Sequence, residues 1–180
     1  PFVNAGWLVD MFEPDPACID VLKREFASVL EGMVRLHTMV IGPEDQKPVA
    51  FHKAQSDGLS GLSPSPYGPT KDVLTVTSRR LDVYLSEISV DTVDFIKIDA
   101  EGWDFDVLMT HDFDKHPPKI VMIEASTAFE RQSLGAINQG LAWMREKGFG
   151  ALVIHYQDDG NFKKGIWRYR LAGIALTDEI

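Results

Sequence analysis

The sequence predicts an α/β fold, a mostly parallel sheet sandwiched by helices, with an antiparallel hairpin near the C-terminus. Three observations support this prediction: short apolar runs alternate with helical patterns, a strand pattern follows the first helix directly, and two late strands flank a turn-rich link. A strand, a helix and a second strand in this order form a crossover unit, which implies a parallel sheet. We expect a single domain over residues 1–180.

The composition is that of one globular domain. Of the 180 residues, 44% are hydrophobic and 25% are charged, which is enough apolar mass for a sizeable core. The net charge of −9 argues against a nucleic acid or an anionic membrane as partner. No apolar run approaches the roughly 20 residues of a spanning helix. A single cysteine, Cys18, suits a reducing compartment, so we predict a cytoplasmic protein.

The first crossover unit lies near the N-terminus. Residues 7–12 form a short apolar run that predicts a buried strand. Asp15 followed by Pro16 is the pattern of a helix N-cap with proline at the first helical position. Apolar residues then recur at helical spacing until Gly32, where we expect the helix to end. Residues 33–41 supply the next strand.

The rest of the chain repeats strand and helix patterns. We predict strands over 73–77, 93–98, 119–124, 151–157 and 166–174, and helical segments over 81–85, around 107–108 and over 136–147. The link at 158–161 is rich in turn residues, which favours a hairpin between the last two strands.

Residues 55–72 differ in composition from the rest of the chain. Four Ser, three Gly and three Pro occur in this stretch, which predicts a long loop. Loops of such length in a compact domain are often lids or binding segments, so we interpret 55–72 as a candidate lid, with a plain linker as the alternative.

Three predicted strands end in carboxylates, Glu13, Asp99 and Glu124. The carboxyl ends of strands in an open α/β sheet line the ligand crevice, so these groups are expected at one edge. Each one alone is also explained as a solvated strand end or a helix cap. A carboxylate only accepts hydrogen bonds and can accept both hydroxyls of a ribose, a task for which Glu13 is placed.

A longer block carries a family resemblance. Residues 93–108, reading V-D-F-I-K-I-D-A-E-G-W-D-F-D-V-L, resemble the signature of FkbM-family methyltransferases. Residues 6–16 are similar to that family's second strand and following helix, residues 58–62 to its serine-leucine loop, and residues 81–85 to its short connecting helix. The resemblance covers about residues 6–157.

The resemblance implies an S-adenosylmethionine-dependent O-methyltransferase with a Rossmann-like sheet, acting on a hydroxyl of a small metabolite such as a sugar or a polyketide-type compound. Glu13, with Pro14 beside it, would hold the ribose of the cofactor. Ile41 and Gly42 would lie near the adenine. Asp99 would face the methionine end of the cofactor or the acceptor hydroxyl, and Glu101 in the same block is a second catalytic candidate. No metal ligand set is predicted, because the five histidines show no ligand spacing.

Other polar residues have simpler interpretations. His52, just before the candidate lid, is a candidate general base, with a structural or surface role as its alternative. Asp104 and Asp106 are interpreted as the solvated or N-terminal face of a helix, where negative charge is favourable. Lys97 is expected to pair with a carboxylate across the sheet.

The chain departs from the family pattern at its start. The family's first strand and glycine-rich turn are expected before Glu13, but only twelve residues precede it. We therefore expect a domain that is incomplete at its N-terminus. Two alternatives remain: a non-catalytic interaction or scaffold domain that has lost cofactor binding, and a nicotinamide-dependent enzyme whose ribose Glu13 would suit equally well.

Overall fold

The computed structural model describes residues 2–29, 32–55, 58–126, 129, 131–157 and 169–177. A short 3-10 turn at Val3–Ala5 precedes the first strand. The strands are β1 Val9–Phe12, β2 Val34–His37, β3 Val40–Ile41, β4 Lys47–Ala54, β5 Thr70–Arg79, β6 Phe95–Ile98, β7 Ile120–Ser126, β8 Phe149–Gln157 and β9 Tyr169–Thr177. The helices are α1 Pro16–Glu25, α2 Leu81–Glu87, α3 Asp104–Leu108 and α4 Leu134–Glu146.

The described strands form three hydrogen-bonded groups. β1 and β2 are parallel. β5 is parallel to β3 and antiparallel to β4. In the third group β6 and β7 are parallel, and β9 lies between β7 and β8, antiparallel to both. The predicted α/β class with parallel strand pairs is thus confirmed, whereas the turn predicted at 158–161 lies outside the described residues.

Local capping chemistry determines where α1 begins. The Asp15 carboxylate accepts the N–H of Ala17 at 2.9 Å, and Pro16 occupies the first helical position, as predicted. The helix ends at Glu25 instead of the predicted Gly32, because the residues after it form hydrogen-bonded turns rather than another helical turn.

The single strand predicted over residues 33–41 is in fact two strands. β2 pairs with β1, whereas β3 pairs with Ser78 and Arg79 of β5. The chain leaves one group of strands and joins the next at Thr38 and Met39, so no continuous ladder is possible.

Strand β4 is not among the strands predicted from the sequence. Pro48 argues against a strand, but β4 is the outer strand of its group, where the missing N–H of a proline is tolerated. Its signal is the alternation of Val49 and Phe51, of which Phe51 is buried. β5 also begins earlier than predicted, at Thr70, so the last three residues of the candidate lid belong to a strand.

The core lies where α2, α3 and α4 meet β6 and β7. Leu108, Val121 and Ile137 are almost completely buried there. Helix α4 approaches α3 closely at Gly140. A Cβ atom at that position would lie only 2.4 Å from the ring of Phe105, so the approach depends on glycine. No helix in the described part of the chain is long and apolar enough to cross a membrane.

Candidate active site

Glu13 lies directly after β1 and is held by backbone hydrogen bonds. Its N–H donates to the carbonyl of His37 at 3.0 Å, and its Oε1 accepts the N–H of Asp15 at 2.7 Å. Pro14 between them has no N–H to donate. Burial raises the pKa of Glu13, and the hydrogen bond from Asp15 opposes that shift. Glu13 is therefore a half-buried acceptor in a fixed position.

An ion pair connects this turn to β4. Lys53 Nζ lies 2.8 Å from Oδ1 of the buried Asp15. The neighbouring His52 exchanges backbone hydrogen bonds with Gly61, at 2.8 and 3.1 Å. The strand that carries the candidate base is thus linked both to the Glu13 turn and to the loop that contains Gly61.

A series of contacts connects β1, which precedes Glu13, with β2 and α2. The ring of His37 stacks on Phe12, with ring centroids 4.8 Å apart. His37 Nε2 lies 2.7 Å from the carboxylate of Asp10, and Nδ1 lies 2.9 Å from the hydroxyl of Tyr84. A neutral imidazole satisfies both contacts, donating to Asp10 and accepting from Tyr84.

Arg35 also contacts Asp10, since its Nη2 donates to Oδ2 at 2.6 Å. Burial by itself would raise the pKa of Asp10, but the hydrogen bonds from His37 and Arg35 lower it below its usual value. Sequence reasoning missed this arrangement. Its signal is the polar residue at position 10 inside an otherwise apolar run, matched by His37 in the next strand.

Asp99 and Glu101 follow β6 in a tight turn. Lys97 Nζ lies 2.8 Å from Asp99, so its ion pair is made along one strand end and not across the sheet as predicted. Glu101 has a φ of +49° and Gly102 a φ of +97°, so two successive residues are left-handed. A Cβ atom at Gly102 would lie 2.7 Å from the ring of Phe129, so this position needs glycine.

Asp104 is the buried anchor of that turn. It begins α3, as expected for the N-terminal face of a helix, but its side chain is only 1% exposed and is not solvated. It accepts hydrogen bonds from the N–H groups of Ala100 and Gly102, at 3.2 and 3.3 Å, and from the Gln132 amide at 2.9 Å. Burial raises the pKa of Asp104 to about 6, because the hydrogen bonds offset only part of the cost of desolvation and the charge of Asp99 adds to it.

Residues 58–63 pack against this turn. A Cβ atom at Gly61 would lie 3.2 Å from Cβ of Glu101, so the two backbones are close. The indole N–H of Trp103 donates to Ser63 Oγ at 3.0 Å. Between these two residues, the side chain of Leu62 lies 3.4 Å from where a Cβ atom of Gly42 would be. The segment 58–63 therefore connects the end of β3 with the turn after β6.

The predicted adenine neighbours lie at the end of β3. Ile41 and Gly42 are both buried, and the N–H of Gly42 donates to the carbonyl of Arg79 at 3.0 Å. A Cβ atom at Gly42 would lie 2.9 Å from Ser78 Oγ, so a side chain does not fit without movement.

The structure does not place Glu124 at a strand end. β7 continues to Ser126, and Glu124 lies within it, opposite Ala172 of β9. The acidic groups at strand ends are therefore Glu13 and the pair Asp99 and Glu101. No three His, Cys, Asp or Glu side chains are grouped to hold a metal ion in the part of the chain that the structure describes.

Comparison with known protein families gives a match over most of the chain. The model of the methyltransferase FkbM domain matches residues 2–150. This range includes Glu13, Gly42, His52 and the turn from Asp99 to Asp104. Neither a curated protein nor a solved structure matches the chain.

Proposed function

The chain belongs to the FkbM methyltransferase family, and we propose that it transfers a methyl group from S-adenosylmethionine to a hydroxyl of a small metabolite, such as a sugar or a polyketide-type compound. The observation that carries this proposal is the half-buried Glu13 carboxylate, fixed after β1 by the N–H of Asp15. It is an acceptor placed where a parallel strand ends.

The residues present suit the cofactor. One oxygen of Glu13 accepts the N–H of Asp15 at 2.7 Å, and a carboxylate has further lone pairs for two ribose hydroxyls. Pro14 adds no competing N–H donor. Ile41 and Gly42 are buried at the end of β3, where Ser78 and Leu62 lie close to Gly42, so their assignment to the adenine rests on the family resemblance. Glu13, Pro14, Ile41 and Gly42 would hold the cofactor, which supplies the electrophilic methyl group when bound.

Other residues would orient the acceptor hydroxyl, take its proton and exclude water. A hydroxyl oxygen that forms a bond to the methyl carbon must lose its proton to a nearby base. Asp99 and Glu101 share one turn and are the first candidates for that base; His52 on β4 is the next. Residues 58–63, the part of the candidate lid 55–72 that contacts Glu101 and Trp103, would help to exclude water from the reacting atoms.

The assignment of Glu13 predicts a specific loss of affinity. In Glu13→Ala, S-adenosylhomocysteine should bind about 10-fold or more weakly, because charged hydrogen bonds to the ribose are worth roughly 1.5 to 3 kcal/mol. The affinity of Glu13→Gln, which keeps one acceptor oxygen, should lie between those of the unmodified protein and Glu13→Ala. Calorimetric titration measures all three proteins.

Glu25→Ala is the matched control, since Glu25 is exposed at the last residue of α1. It should bind like the unmodified protein. Equal affinity of Glu13→Ala and Glu25→Ala would remove Glu13 from the cofactor site.

A further inference from the structure

We propose that Asp104 is a positioning residue, whose carboxylate holds the left-handed Glu101–Gly102 turn and so sets the direction in which Asp99 and Glu101 present their side chains. The proposal rests on the proposed function for the identity of the site. Its structural part, the hold on the turn, does not.

The hydrogen bonds of Asp104 reach both ends of the turn. Asp104 Oδ1 accepts the N–H of Ala100, and Oδ2 accepts the N–H of Gly102. These two N–H groups lie on either side of Glu101. They belong to the peptide groups Asp99–Ala100 and Glu101–Gly102, so one carboxylate fixes the peptide group that follows each of the two residues that it positions.

The backbone of the turn is strained at Glu101. Glu101 is not a glycine, yet its φ is +49°. A left-handed conformation costs such a residue roughly 1 to 2 kcal/mol, so surrounding contacts must maintain it. Asp104 holds the turn from one side and Phe129, packed on Gly102, closes the other.

A carboxylate suits position 104 better than an amide does. Three donors converge on Asp104: two backbone N–H groups and the Gln132 amide, which is 2.9 Å away. An ionised carboxylate only accepts hydrogen bonds and can serve all three, whereas an amide would turn one donor toward another donor. Burying a charge at a residue that is only 1% exposed costs free energy. A buried carboxylate at this position is therefore explained if the turn needs it as an acceptor.

Asp104 forms no ion pair within the part of the chain that the structure describes, so its hydrogen bonds are the contacts by which it fixes the turn. Asp99 on the same turn is repulsive toward Asp104. The nearby Arg131 makes its ion pair with Asp106 at 2.9 Å and lies over the ring of Trp103. Asp106 is thus a close acidic neighbour that does not hold the turn, and it provides a matched control.

The first test measures the hydrogen bonds of the turn in the protein without any ligand. In amide NMR spectra recorded across the pH range, the N–H signals of Ala100 and Gly102 should titrate together with a midpoint of about 6. The titration should be absent in Asp104→Asn and retained in Asp106→Asn. Signals that do not titrate, or that titrate equally in Asp104→Asn, would overturn the proposal.

The second test reads the site with S-adenosylhomocysteine as the probe. Misplacing the end of β6 should weaken binding roughly 10-fold in Asp104→Asn, because small displacements of positioned groups have large effects. Asp106→Asn should remain within about twofold of the unmodified protein, since it loses a surface ion pair.

A double variant separates positioning from stability. In Asp104→Asn with Gln132→Glu, the new amide can donate to the new carboxylate, so the contact between these positions and the melting temperature should recover. The N–H of Gly102 still lacks its acceptor, so binding should stay weak. Recovery of affinity together with stability would show a merely structural role and overturn the proposal.

The two proposals fail in different ways. If the unmodified protein does not bind S-adenosylhomocysteine, the proposed function fails, and the amide titration alone decides whether Asp104 holds the turn. If the unmodified protein binds and Asp104→Asn binds equally well, the positioning role fails while the proposed function stands.

Discussion

Burial divides the acidic residues near the ends of β1 and β6 into two kinds. Asp99 is 42% exposed and pairs with Lys97 at the surface. Such an exposed pair contributes little to stability. Asp104 is 1% exposed, and its three partners are uncharged donors. Side chains of the same type, five positions apart, therefore serve different purposes.

The raised pKa of Asp104 predicts a pH dependence of stability. The folded protein holds this proton up to a pH of about 6, whereas the unfolded chain releases it near 3.8. The stability contributed by the protonated group is complete below 3.8 and is lost as the pH rises through about 6. Across this window the loss is about 3 kcal/mol.

Urea unfolding of the unmodified protein and Asp104→Asn at a series of pH values measures this effect. The difference in free energy of unfolding between the two should fall from about pH 4 to about pH 7, because only the unmodified protein has the group. A difference that is constant or grows with pH would contradict the predicted protonation.

How far apart two residues are in the sequence decides whether their contact can be predicted from it. Asp15 caps α1 through Ala17, two residues away, so its role is visible in the local pattern. Asp104 depends on Gln132, which is 28 residues away. Its position at a helix start could be predicted, but its burial and its hold on the turn could not, because both depend on segments that meet only in the folded chain.

At the scale of elements, the approach of α4 to α3 depends on a missing side chain. Gly140 faces the buried ring of Phe105, and a Cβ atom there would lie 2.4 Å away. Gly135 lies in the same helix, but the nearest atom to its Cβ position is 3.7 Å away, at Ser133 Oγ. The same substitution should therefore have opposite effects at the two positions.

We expect Gly140→Ala to lower the free energy of unfolding by about 1 to 2 kcal/mol, because overpacking outweighs the gain in helix propensity. Gly135→Ala should raise it by about 0.5 to 1 kcal/mol. Urea unfolding of both variants makes the comparison. A Gly140→Ala protein as stable as Gly135→Ala would show that the two helices do not pack as described.

The elements that pair locally could be predicted better than those that depend on distant partners. The start of α1 follows from its own residues, and β6 from its apolar run. The break between β2 and β3 follows from the different partners of the two halves, β1 and β5. β4 was missed because Pro48 is acceptable only on an outer strand, a property of the assembled sheet.

At the scale of the whole molecule, the family match covers residues 2–150, which contain every residue assigned to the site. The described contacts join that site in three steps: Lys53 links β4 to the turn after β1, His52 links β4 to Gly61, and residues 58–63 link the end of β3 to the turn after β6. The site is thus assembled from segments that the chain order keeps apart.

Titration calorimetry decides between the candidate functions of the chain. S-adenosylhomocysteine and NAD⁺ are titrated into the protein in parallel, because Glu13 would suit the ribose of either molecule. We expect saturable binding of S-adenosylhomocysteine at a single class of site and no binding of NAD⁺. Binding of NAD⁺ alone would indicate a nicotinamide-dependent enzyme; binding of neither would contradict the proposed methyl transfer and favour a non-catalytic interaction domain.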